Sequence, residues 1–101
     1  MEEQIFELIS HAGDAKGYAY DALKAAKENR MESAEELLNK SQEELDIAHN
    51  AQTKLIQAEI NGEELKISLL MVHAEDHLMA AISEKSLIKE MIEIIKLIYN
   101  K

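Results

Sequence analysis

The residues best suited to chemistry lie together in one short segment, VHAEDHLM at residues 72–79. In a helix, His73 and His77 are one turn apart on the same face, and Asp76 lies on the opposite flank of His73. A neutral imidazole is a competent nucleophile near neutral pH, because the usual pKa of histidine lies close to it. The segment therefore predicts a nucleophilic His73, with His77 placed to donate a hydrogen bond to a transferred anionic group.

Two other interpretations fit the same spacing. A polar layer of two histidines and an aspartate can fix the register of a helical bundle. The same three side chains could bind zinc, although the zincin pattern needs Glu directly after the first His, where Ala74 stands. From the spacing alone, phosphoryl transfer, metal binding and a structural layer all remain open.

The other two histidines carry weaker signals. His11 precedes Asp14 by three residues, and His49 shares a helical face with Asp46 and Gln52. Each is expected to be a surface or partly buried polar residue.

The composition narrows the class of protein. The 101-residue chain has a formal charge of −9 and no Cys. This charge disfavours nucleic acid and anionic membrane surfaces as partners and favours a basic protein. The lack of Cys excludes disulfides and a thiol nucleophile. The acidic first residues and the absence of an apolar run of about 20 residues predict a cytoplasmic protein without a membrane span.

The elements that must position these residues are helices. The chain has no Pro and three Gly, and good helix formers dominate it. Asn29 and Asn61-Gly62 mark two breaks, which predict helices over 2–28, 31–60 and 65–99. Short connections then give an all-α, up-down-up bundle, forming a single domain over residues 1–101.

The first and third helices differ in their apolar residues. The predicted buried stripe of the first helix is unusually rich in Ala. The third helix is apolar on several faces, more than two neighbours can cover, so we expect it to form a homo-oligomer interface. The residues within about 60° of His73 on the helical wheel are Leu69, Leu70, Leu87, Ile88, Met91, Ile95 and Ile98.

The whole chain resembles one family. Residues 68–79, with their His-x-x-Asp-His-Leu-Met run, closely resemble the active-site segment of the lactose/cellobiose family of enzyme IIA. These proteins are components of the bacterial phosphoenolpyruvate-dependent sugar phosphotransferase system. Residues 12–16 with 22–23, and residues 48–55, resemble the first and second helices of the family. The chain departs from the family at Asn29-Arg30, where Gly-Asp is common, and at Gly17.

This resemblance implies a phosphocarrier. His73 would accept a phosphoryl group at Nε2 from phosphorylated HPr and pass it to a cysteine of enzyme IIB, working with the membrane component IIC. His77 would support the site. The sugar would be a disaccharide of the lactose, cellobiose or chitobiose type.

The resemblance also implies an assembly. Three protomers would form a nine-helix homotrimer in which Asp76 meets its symmetry mates at the axis and binds one Mg²⁺. Converging carboxylates repel each other unless a cation or protons intervene.

Two alternative functions are kept. A histidine phosphotransfer domain of two-component signalling is also helical, but it resembles a four-helix bundle with Lys and Gly soon after its His. A non-catalytic helical oligomerisation module would use the polar layer only to set register.

Overall fold

The computed structural model describes residues 2–101, which form three long helices. They are α1 at Glu2–Lys27, α2 at Met31–Ile60 and α3 at Leu69–Tyr99. Short connections make successive helices antiparallel, giving an up-down-up rod of 57 × 19 × 18 Å. The predicted all-α, three-helix architecture is confirmed.

Both inter-helix turns contain a residue in the left-handed conformation at their second position. Asn29 has φ 60°, and the N–H of Arg30 donates to the carbonyl of Ala25 at 2.9 Å. This bond pattern satisfies carbonyls that the end of α1 would otherwise leave unpaired. Gly62, with φ 86°, ends α2 in the same way. Both breaks in the sequence are therefore confirmed as turns.

The third helix begins four residues later than predicted. Ser68 is extended, with φ −122° and ψ 164°, and its Oγ accepts a hydrogen bond from the Met71 N–H at 3.1 Å. This N-cap fixes the first turn of α3 and leaves residues 63–68 as a connection. The boundary at residue 65 was wrong because the capping serine was not recognised.

The core is built largely from Ala on α1. The six buried alanines of this helix let α2 and α3 approach closely, and α3 packs mainly on α1 and less on α2. Ser41 of α2 is also fully buried, and its hydroxyl donates to the Ala15 carbonyl at 2.7 Å. The small-residue stripe of α1 is confirmed, and on α2 the large apolar Ile56 is exposed.

Large apolar side chains remain uncovered along α3. We call them the exposed apolar surface of α3: Leu69, Leu70, Val72, Met79, Ile82, Leu87, Met91, Ile94, Leu97, Ile98 and Tyr99. Their number agrees with the prediction that two neighbouring helices cannot cover α3. Across residues 2–101, no helix combines the length and apolar character needed to cross a bilayer.

Candidate functional site

His73 and His77 lie on consecutive turns near the N-terminal end of α3. Their rings are almost parallel, with an interplanar angle of 13° and centroids 5.8 Å apart. His73 is exposed, whereas His77 is partly buried. The arrangement presents one imidazole to an incoming partner and keeps a second within one turn of it.

Gly13 of α1 faces the second imidazole. A Cβ built at this position would lie 3.4 Å from His77 Nε2, which is about van der Waals contact. A glycine inside a helix costs about 1 kcal/mol relative to Ala. Its presence here leaves the space beside His77 Nε2 free of an α1 side chain at this position.

A polar cluster continues along the same α1–α3 contact. The Tyr20 hydroxyl donates to Glu84 Oε1 at 2.8 Å, and Lys16 Nζ forms an ion pair with Oε2 at 3.2 Å. The Tyr20 hydrogen bond and then the Lys16 contact hold the pKa of Glu84 below its usual value, and His77 acts in the same direction. The Glu84 hydrogen bond raises the pKa of Tyr20 in turn. A fixed carboxylate therefore lies on the His77 side of the pair.

The acidic residues between the two histidines have different environments. Gln52 Nε2 of α2 donates to Glu75 Oε2 at 2.6 Å, which links α2 to the middle of the site segment. Asp76 is exposed. Because the two side chains differ in this way, Glu75 is held within the protomer and Asp76 is presented outward.

The structure does not gather His73, Asp76 and His77 into a chelating group within one chain. In the described part of the chain, the group of three or more side chains whose ligand atoms lie within 4.8 Å of one another is His11, Asp14 and Glu44. A carboxylate oxygen is a suitable Mg²⁺ ligand. Asp76 alone supplies too few ligands, so an ion bound there needs oxygens from other copies of the chain or from water.

The surroundings of His73 are apolar but open in a single protomer. Leu69 is 85% exposed and Leu70 43% exposed, and together with His73 they line a shallow apolar hollow. Most of the stripe predicted around His73 is likewise exposed. The residues around His73 are apolar, as expected. Water can be excluded from the site only when another surface covers these residues.

His11 and His49 have the predicted exposure, but they differ in their contacts with other side chains. His49 is exposed on α2. His11 is partly buried, and its Nδ1 contacts Glu44 Oε2 across the α1–α2 interface. The sequence identified the i,i+3 pair of His11 and Asp14 but not Glu44, because no local spacing connects residues on different helices.

Two further contacts of the site were missed from the sequence. Gly13 could have been recognised, because a glycine inside a helical pattern often has a packing reason. Glu84 follows His77 by seven residues, which places both on one face of α3. Its interaction with Tyr20 depends on the pairing of α1 with α3 and could not be read from this spacing.

Comparison with solved structures defines the class of protein. The fold superposes on the crystal structure of the PTS cellobiose-specific enzyme IIA from Bacillus anthracis with a TM-score of 0.96 and 43% identity, covering 99% of this chain and 92% of that one. It also matches the IIA(chitobiose) of the Escherichia coli phosphotransferase system, solved in complex with HPr. That match has a TM-score of 0.82 and 37% identity, covering 97% and 95% of the two chains. Here PTS denotes the sugar phosphotransferase system.

The sequence then gives the family. The family profile described as PTS system, Lactose/Cellobiose specific IIA subunit matches residues 3–96. The chain belongs to this family and is a phosphotransferase component. The lichenan-specific phosphotransferase enzyme IIA component of Bacillus subtilis is 46% identical over 94 residues, covering 93% of this chain and 86% of that protein.

Proposed function

We propose that this chain is the phosphocarrier of a disaccharide branch of the phosphotransferase system. His73 accepts a phosphoryl group from phosphorylated HPr at Nε2 and passes it to the cysteine of enzyme IIB. The membrane component IIC then imports a sugar of the lactose, cellobiose or chitobiose type. The observation that carries this proposal is the exposed His73 beside the partly buried His77, in a chain of this family. The HPr-bound E. coli IIA, similar in fold, supports HPr as the donor.

Each transfer is an in-line displacement at phosphorus. The neutral His73 imidazole supplies an electron pair from Nε2, an N–P bond forms, and the bond between phosphorus and the donor breaks. In the second step the cysteine thiolate of enzyme IIB attacks the same phosphorus, an S–P bond forms, and His73 leaves as a neutral imidazole. The protein contributes position rather than covalent help.

His77 has a supporting role in this scheme. Its ring lies 5.8 Å from that of His73, close enough for a small rotamer change to bring an N–H to a phosphoryl oxygen. A side chain at Gly13 would narrow the space beside Nε2, which the glycine leaves open.

The functional unit in this proposal is a cytoplasmic homotrimer of nine helices. The exposed apolar surface of α3 supports an interface between copies, because many large apolar side chains left exposed along one helix are typical of an interaction surface. In this trimer the Asp76 carboxylates of the three chains would hold one Mg²⁺, which would neutralise their mutual repulsion. No step of the transfer passes through this ion.

The acidic surface suits the proposed donor. A formal charge of −9 attracts a basic patch on a partner and raises the association rate at low ionic strength. Added salt should therefore slow phosphorylation by HPr.

The test is phosphorylation followed by intact mass. The protein is incubated with phosphoenolpyruvate, enzyme I and HPr, and the experiment is repeated with His73→Ala and with His49→Ala, which removes an exposed histidine from α2. We expect one acid-labile phosphoryl group per chain in the wild type and in His49→Ala, and none in His73→Ala. Subsequent addition of enzyme IIB should discharge the wild type.

Other results would favour the alternatives. Phosphorylation by a receiver-domain aspartyl phosphate, but not by HPr, would indicate a two-component phosphotransfer protein. A folded wild type that accepts no phosphoryl group from phosphorylated HPr would indicate that His73, Asp76 and His77 form a structural polar layer.

A further inference from the structure

Three potential metal ligands converge on the α1–α2 interface, away from the His73 site. His11 and Asp14 are one turn apart on α1, and Glu44 faces them from α2. His11 Nδ1 already contacts Glu44 Oε2, and the two side chains are only 30% and 21% exposed. One ligand atom from each of the three residues lies within 4.8 Å of the others.

An ordinary ion pair accounts for only part of this cluster. A protonated His11 carries one positive charge and can neutralise Glu44. The second carboxylate, Asp14, then has no charge to balance it within the triad, in a chain whose formal charge is already −9. A divalent cation would balance both carboxylates and would also use the imidazole lone pair.

The ligand types indicate which cation would fit. Magnesium and calcium prefer all-oxygen sites, whereas one imidazole nitrogen with two carboxylate oxygens suits zinc and its first-row neighbours. Metal–ligand bonds of about 2.0–2.2 Å place the ligand atoms of a tetrahedral site roughly 3.3 Å apart. The three side chains need only small rotations to reach that spacing.

We propose that His11, Asp14 and Glu44 bind a divalent transition-metal ion of the zinc class. Three protein ligands leave the fourth tetrahedral position to water. Because the ligands come from two helices, the bound ion cross-links α1 to α2. The site is separate from Asp76 and from the phosphoryl-transfer histidines, so the proposal stands or falls independently of the proposed function.

The test is Zn²⁺ binding by calorimetry in a His73→Ala/His77→Ala background, which removes the other pair of neighbouring histidines. Within this background, His11→Ala, Asp14→Asn and Glu44→Gln are compared with His49→Ala. The last is a matched control, because Asp46 and His49 have the same residue types at the same three-residue spacing on α2, in the reverse order. Circular dichroism confirms that each variant remains helical.

We expect one Zn²⁺ per chain in the background protein and in His49→Ala. Each of the three ligand substitutions should weaken binding at least about tenfold. Saturating Zn²⁺ should raise the Tm of the background protein by roughly 5 °C or more, and this rise should be absent in Glu44→Gln. Excess Mg²⁺ should not compete.

Three results would overturn the proposal. One is Zn²⁺ binding that survives His11→Ala and Glu44→Gln. Another is loss of all binding when only His73 and His77 are replaced. The third is the absence of measurable binding to the well-folded wild type at 100-fold molar excess of ZnCl₂. Because Asp14 is exposed, Asp14→Asn gives a readout even where His11→Ala reduces stability.

Discussion

The buried face of α1 and the exposed apolar surface of α3 are both apolar, but the first consists mainly of small residues and the second of large ones. On α1, Ala19 and Ala22 are fully buried between the other helices. On α3, Leu87 is 59% exposed and Ile98 63% exposed. The small residues allow helices within one chain to pack closely. The large residues carry the apolar area that an interface between chains would need.

This difference separates two kinds of stability. The α1 face has already lost contact with solvent in the protomer, so its contribution is to folding. The α3 surface can contribute only when another surface covers it, which in our proposal is a second copy of the chain, because burial of apolar area is the source of the stabilisation. Substitutions on the two faces should therefore affect different measurements.

The largest effect is expected on α3. Leu87→Asp combined with Met91→Asp introduces two charges per chain into the exposed apolar surface, on the stripe that carries His73. We expect the proposed trimer to dissociate to single chains that remain helical, because burying unpaired charges is very costly. Light scattering measures the mass, and circular dichroism measures the helix content.

The control for this experiment is a charge change on a polar surface. Glu32→Lys on α2 alters an exposed residue outside the proposed interface and should leave the mass unchanged. A wild-type chain that is monomeric at micromolar concentration would contradict the trimer itself.

A smaller effect is expected on α1. Ala19→Leu adds three carbons to a fully buried position and should destabilise the fold by roughly 1–3 kcal/mol through overpacking. Gly17→Ala, two residues away, should stabilise it by about 1 kcal/mol, because nothing lies within 4 Å of the added methyl. Urea unfolding measures both changes.

The two substitutions are expected to change the free energy of unfolding in opposite directions, so each outcome tests the packing of α1 separately. If Ala19→Leu were neutral, the close packing of α1 would be looser than described. If Gly17→Ala were destabilising, an unrecognised partner would have to cover that position.

The smallest effect is expected in the polar contact between α1 and α3. Folding lowers the pKa of Glu84, chiefly through the Tyr20 hydrogen bond, so its carboxylate contributes stability that is complete above the unfolded pKa. This contribution is lost as the pH falls through the folded pKa, which lies below the usual pKa of a glutamate carboxyl. Glu84→Gln should therefore flatten the acid limb of the Tm–pH curve by on the order of a degree or two.

Glu90→Gln, an exposed carboxylate on the same helix, is the control and should leave the acid limb unchanged. An identical curve for the wild type and Glu84→Gln would show that the Tyr20 contact contributes nothing to folding.

Much of the fold could be predicted because its signals are local. The alanines of α1 recur at helical spacing, and Asn29 and Gly62 have turn chemistry that requires no knowledge of distant residues. The start of α3 was missed at Ser68, since a lone serine before an apolar run has several meanings. The burial of Ser41 was also missed, because its partner is a carbonyl on another helix.

The candidate site was likewise predictable only where its signals were local in the sequence. The placement of His73 and His77 on one face came from their four-residue spacing. The neighbours of His77, which are Gly13 and the cluster around Glu84, join α1 to α3 across more than 60 residues of sequence. Such contacts depend on which helices pair and in what register, which local patterns do not specify.

The rod shape separates the candidate site from the opposite end of the protomer, where a fluorescent label could be attached. His73 lies near one end, and α3 rises about 39 Å from there to Tyr99, whose hydroxyl donates to the Lys27 carbonyl beside the α1–α2 turn. Because the chain has no Cys, a Glu28→Cys substitution in that exposed turn would create its only thiol. A fluorophore attached there would track encounters with partners by energy transfer, from a position too distant to obstruct the reacting imidazole.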